Sequence, residues 1–294
     1  METPTPESLT GFRDLHELML DYEGTDLFAD VLAPSIPRAQ ALLAPLRSYG
    51  DRRALTEVSD EALHAFFALS VVNDTLLLPL RVSLREYLRF FEALGFAPFS
   101  GGDFSPVRHE LVEVSNHARP DEGIQLGRTY WPGLMWGELV FSRSAVDAFC
   151  HPSFQLHADV VRRSPLYFAS SRMRRPTHSL AHGWGSNSRW RTPFRLDYEE
   201  PGHVVFNAFA KHDLADPSSW AGDARAAQDL PLGARRELLV HRSFVSYAPG
   251  PDEECFPYND TLALRRDGPL WPLEESRLVR VRDLKADRTG GRAR

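Results

Sequence analysis

Lysine is nearly missing from this chain: Lys211 and Lys285 are the only two, and almost all positive charge is arginine. Cysteine is as scarce, and Cys150 and Cys255 form neither a CxxC zinc pattern nor a disulfide framework. No uninterrupted apolar run approaches the ~18 residues of a membrane-spanning helix. The opening Met1-Glu2-Thr3-Pro4 has neither the basic nor the apolar region of a signal peptide. These absences lead to the expectation of a cytoplasmic protein with no membrane partner. A formal net charge of −6 lacks the dominant positive field that general nucleic-acid binding needs, so no nucleic-acid partner is expected. One further absence is local. From Val160 to Leu196 there is no Asp or Glu, while Arg162, Arg163, Arg172, Arg174, Arg175, Arg189, Arg191 and Arg195 all fall there.

Within that acid-free run, residues Thr177 to Thr192 combine two histidines, two glycines, two tryptophans, an asparagine and two arginines. Such a mixture suits a polar site better than an amphipathic helix or an alternating strand. Gly183 and Gly185 permit backbone conformations closed to other residues, and such turns can aim consecutive N–H groups at an anion. Arg189 and Arg191 have planar donors matched to a carboxylate, phosphate or sulfate. Ser186, Asn187, Ser188 and Trp184 are further candidates for holding the ligand. His182 and His178 titrate nearest neutral pH and are the candidates for proton transfer; His182 comes first because it directly precedes the glycine turn. The glycine spacing matches neither GxxxxGK[ST] nor GxGxxG. The competing explanation is a structural loop, with its tryptophans in a core and its arginines paired to distant acids.

A second constellation is Arg108-His109-Glu110-Leu111-Val112-Glu113-Val114. Pro106 and the Val-rich run favour a strand, whose period of two puts His109 and Glu113 on one face as a base and its orienting partner. The HExxH zinc motif is incomplete, since residue 113 is Glu. Trp131-Pro132-Gly133-Leu134-Met135-Trp136 joins two strands through an aromatic turn that either floors a pocket or packs in the core. Arg143 ends the next strand and extends the basic patch. His241 falls in an expected strand as a core histidine, and His212-Asp213 reads as loop polarity. No Gly-x-Ser-x-Gly elbow or catalytic-cysteine signature is present, and no metal or cofactor is expected.

Helical periodicity runs through residues 8–100, clearest at Phe12, Leu15, Leu18, Met19 and Tyr22, and again after the Ser83-Leu84-Arg85-Glu86 capping box. A helix is also expected over Ala39–Tyr49 and another from Ser59. This region is acidic: sixteen Asp or Glu stand against eight Arg up to Asp103. Strand patterns follow over 107–114, 124–131, 137–142, 165–173, 204–209, 237–247, 262–266 and 278–281. The expected class is α+β, an N-terminal helical layer followed by a mostly antiparallel or mixed β-sheet region. Residues 1–7 are expected to form a disordered leader, 101–286 the β-rich region with the site, and 287–294 a disordered tail.

The segments Phe104 to Val114, Trp131 to Leu134 and His182 to Thr192 resemble signatures of an uncharacterised bacterial protein family, over roughly residues 90 to 210. The resemblance implies that the three segments belong to one domain, and it carries no activity with it. The leading functional expectation is a metal-independent acid/base enzyme acting on a small anionic metabolite. Arginines would hold a carboxylate, or a phosphate or sulfate leaving group, during an elimination, substitution or hydrolysis. The composition fits a bacterial biosynthetic enzyme. The alternatives are a partner-subunit or immunity-type binding protein, whose arginines would form an exposed convex patch, and a metal-dependent hydrolase. Self-association or a partner subunit stays open.

Overall fold

A computed structural model of the chain describes residues 5–77, 81–168, 177–179, 190, 192–220, 230–248, 250 and 259–284. Helices come first: α1 (Phe12–Asp21), α2 (Ala33–Leu43), α3 (Asp60–Leu77) and α4 (Leu84–Ala93). Strands follow as β1 (Ala97–Phe99), β2 (His109–Asn116), β3 (Gln125–Trp131), β4 (Gly133–Trp136), β5 (Leu139–Ser142) and β6 (Ser144–Cys150). After α5 (Ala158–Arg163) come β7 (Leu166–Phe168), β8 (Thr177–Ser179), β9 (Tyr198–Glu200), β10 (His203–Phe206) and β11 (His212–Asp213). The described chain closes with α6 (Leu232–His241), β12 (Asp260–Arg265) and β13 (Leu278–Val279). The class is α+β with mixed sheets, as the sequence pattern implies. No described helix is long and apolar enough to cross a membrane.

Contacts divide the chain into two compact units. The first comprises Met1–Phe99, Leu134–Gly137 and Tyr167–Phe194. Here α1 buries Phe12, Leu15 and Met19, the stripe legible in the sequence. The capping box forms at the start of α4: Ser83 N–H donates to Glu86 Oε2 (2.7 Å) and Glu86 N–H to Ser83 Oγ (3.3 Å). The helix expected over Ala39–Tyr49 starts earlier, at Ala33, and tightens to a 3₁₀ helix over Ala44–Gly50. A π-helical turn over Phe28–Leu32 leads directly into it, so Pro34 and Pro37 lie within one continuous helical run instead of ending it. Trp136 on β4 donates its indole N–H to Leu46 O (3.1 Å) and packs on Phe96, 4.8 Å between ring centroids.

The second unit comprises Ser100–Gly133, Glu138–Leu166 and Arg195–Arg294. Strands β2, β6 and β3 form a three-stranded sheet with β6 central, parallel to β2 and antiparallel to β3. Strands β5, β9, β10, β12 and β11 follow one another across a second sheet, with β13 also on β12. Its β11–β12 pair is parallel, while β9, β10 and β12 pair antiparallel. The strand expected over Glu237–Tyr247 is instead the end of α6 and the loop after it. Ala234-Arg235-Arg236-Glu237-Leu238-Leu239 are good helix formers. Every residue from Ala234 to His241 is buried, so no 3.6-residue stripe distinguishes the helix from a buried strand.

Gly137 tests the packing of the first unit. Its φ is +59°, and a Cβ there would lie 2.4 Å from Gly50 O. Gly137→Ala should lower the stability of the protein by more than about 1 kcal/mol in denaturant titration.

Candidate functional site

His109 and Glu113 do not share a face. The β2–β6 register shifts between Leu111 and Glu113, and an extra residue in one strand inverts the side-chain alternation beyond it. His109 is buried and Glu113 is exposed. Both ring nitrogens of His109 are engaged: Ser105 N–H donates to Nδ1 (3.1 Å), and Nε2 faces Gly101 O (3.3 Å). Burial lowers its pKa, and Arg108 and Arg143 add to the effect against the two backbone hydrogen bonds. A ring that accepts at Nδ1 and donates at Nε2 is neutral, and His109 in this state clips the 101–105 loop. The Phe104 ring from that loop is near-parallel to those of His109 (6.1 Å) and His241 (6.2 Å), and Trp271 meets His241 edge-on at 4.2 Å.

Arg143 is the single residue between β5 and β6. It is fully buried, as is the carboxylate it reaches, Asp197, just ahead of β9. Arg143 Nη2 donates to Asp197 Oδ2 (3.0 Å) and Nη1 to Val240 O (2.8 Å). Arg242 Nη2 donates to the same Oδ2 (2.9 Å). Asp197 Oδ1 accepts from Arg195 Nε (2.8 Å) and from Asn207 N–H (2.9 Å). Arg195 Nη2 also donates to Leu239 O. Two arginines thus satisfy carbonyls in the last turn of α6, where the helix dipole favours cations. Arg242 caps that helix in the left-handed conformation, φ 59°, ψ 15°, and Asn207 is left-handed at φ 49°. Glycine is the usual residue at such positions.

The electrostatics follow from this geometry. Burial alone would raise the Asp197 pKa; Arg195, Arg242 and Arg143 together hold it well below the usual carboxylate range. Burial, followed by the nearness of Arg242, pushes Arg143 down, against the pull of Asp197. Two further acids in this unit draw arginines. Glu199 is held by Arg108 Nε (2.5 Å) and Arg266 Nη2 (2.7 Å). Asp260 takes Arg235 bidentately at 2.6 and 3.0 Å, with His212 Nδ1 at 3.5 Å. His212-Asp213, which reads as loop polarity in the sequence, is a buried strand pair on β12.

His182, Trp184, Ser186, Asn187, Ser188, Arg189 and Arg191 lie outside the described residues. His178 sits on β8, described through its backbone alone. Trp190 packs edge-on against His16 (5.4 Å) with Arg13 over its ring (5.6 Å), so this tryptophan serves the packing of α1. Trp131 ends β3, buried, and its carbonyl accepts from Ser144 Oγ (3.0 Å). Of the expected site residues whose side chains are described, Arg143 alone joins the Asp197 cluster. Sequence reasoning missed Asp197 and Arg242, and counted Arg195 only as one of eight. A usable signal existed: Asp197 is the first acid after the acid-free run, two residues past Arg195. No protein-family model, curated protein or solved structure matches the chain.

Asp197→Asn should destabilise the protein by ~3–5 kcal/mol, the cost of stranding buried cations. Because the folded pKa is depressed, the Asp197 carboxylate stabilises the fold above its unfolded pKa near 4. That contribution is lost as pH falls below this value toward the folded pKa. Denaturation measured between about pH 5 and pH 2 should show a shallower acid-side decline in the Asn variant than in the wild type.

Proposed function

We propose that the chain binds a small anionic metabolite through arginines and acts on it by proton transfer without a metal. The observation that carries this reading is the Asp197 cluster. Three guanidiniums meet one carboxylate whose oxygens already accept four hydrogen bonds. Such a carboxylate has no acceptor position left, and Arg143 Nε and Arg242 Nε, which have no hydrogen-bond partner among the described residues, are the donors available to a ligand. Arginines so placed also stabilise charge that develops on a leaving group, an effect worth roughly 2.7–4 kcal/mol for one well-placed donor. Since His109 is neutral with both nitrogens engaged, proton transfer falls to His182, with His178 second and Arg189 and Arg191 as further anion-binding groups.

A partner-subunit or immunity-type protein would need its arginines on an open convex surface. The side chain of Arg143 has no exposure, and those of Arg195 and Arg242 only 17%, which favours a small ligand over an acidic protein face.

His182→Ala and Arg191→Ala should leave the circular-dichroism spectrum and melting temperature near the wild type while abolishing turnover or weakening binding across a panel of small phosphorylated, sulfated and carboxylated metabolites. Unchanged binding of every candidate in both variants would overturn the proposal. Treatment with a chelator should leave activity intact; activity lost with a stoichiometric metal and restored by its return would point to the hydrolase reading.

A further inference from the structure

We infer that the anion recognised at the Asp197 cluster is a tetrahedral, doubly charged oxyanion of the phosphate or sulfate type, held by Arg143 and Arg242. This rests on the anion-binding reading above and makes it chemically narrower. Arg143 and Arg242 approach Asp197 from different elements, the β5–β6 junction and the end of α6, and both give Nη2 to the same oxygen, Oδ2. In each, Nε is buried and has no hydrogen-bond partner among the described residues. Nε–H and Nη2–H flank one edge of a guanidinium, a fork shaped for two neighbouring acceptors. Asp197 fills one prong of each fork and the other prong stands empty.

Local acceptors are already taken. Asp197 Oδ1 serves Arg195 and Asn207, and the last-turn carbonyls of α6, Leu239 O and Val240 O, serve Arg195 and Arg143. A buried donor on a cation left without an acceptor is costly enough that native structures rarely tolerate it, and here two such donors flank one carboxylate oxygen. A planar carboxylate fits the two prongs of a single fork. Two half-filled forks on separate elements are better met by an ion whose oxygens point in several directions. Among the described residues Arg143 and Arg242 pair with no other carboxylate and share one oxygen of Asp197, so a doubly charged ligand offsets their charge more fully than a monocarboxylate. The left-handed backbone of Arg242, costly for a residue with a side chain, puts its guanidinium at this point. Its residual exposure of 17% gives the solvent-borne ion a side from which to enter.

Isothermal titration of the full chain with inorganic sulfate, inorganic phosphate and sodium acetate, at matched ionic strength, tests the inference. Sulfate and phosphate should bind at least about tenfold more tightly than acetate, and Arg242→Gln should weaken sulfate binding about tenfold or more. Arg242→Lys, which keeps the charge and loses the fork, should be weakened as well. It replaces the Gln variant should that one fail to fold. Acetate binding as tightly as sulfate overturns the oxyanion class and leaves anion binding standing. Failure of all three ions to bind overturns both. Undiminished sulfate binding in the folded Arg242 variants overturns the assignment of the ion to this site.

Discussion

Keeping one carboxylate charged beyond the reach of water is the constraint on which the second unit depends. The idealised cost of moving such an ion into a low-dielectric interior is of order 20 kcal/mol, and several remain after relaxation. Asp197 meets that cost with four donors from four places: the β5–β6 junction, the approach to β9, the residue after β10 and the cap of α6. Each donor fixes its own segment relative to the others. The left-handed residues Asn207 and Arg242 and the buried Arg143 all donate to this one acid, and Arg143 and Arg195 also reach carbonyls in the last turn of α6.

The scarcity of lysine takes on a meaning in this setting. Arg143 bonds a carboxylate oxygen and a helix carbonyl at once, and Arg235 grips Asp260 through two nitrogens. An ammonium group is a point charge and holds neither geometry in a plane. Glu237 shows the converse arrangement. Its carboxylate accepts the backbone N–H groups of Val245, Ser246 and Tyr247 at 2.5, 2.6 and 3.1 Å, fixing the loop that leaves α6, with no cation among the described residues. The buried acids of this unit thus act as nails through the loops, and the arginines are shaped to reach them.

The fold was legible where a face is amphipathic. The stripe from Phe12 to Met19 and the capping box at Ser83 are each set by local chemistry. Legibility failed where burial is complete, since α6 is apolar or ion-paired all round and presents no stripe. It failed again at β2, because a bulge moves Glu113 to the opposite face from His109 and no residue type announces it. The candidate site was half legible. Arg143 stood out at the end of a strand, and the acid-free run marked the region. Asp197 was hidden because an isolated acid says nothing about how many cations will gather on it across 45 residues of sequence to Arg242. That convergence comes from tertiary structure alone.

Arg143 also has a mechanical meaning. It is the only residue between β5 and β6, which belong to different sheets of the second unit, so any hinging of one sheet against the other turns its backbone. Its side chain is meanwhile moored to the end of α6 and to Asp197. A joint of this kind is rigid while the guanidinium is held and slack once it is released. Release of that guanidinium would loosen the β5–β6 junction and the last turn of α6 together, because one side chain holds both.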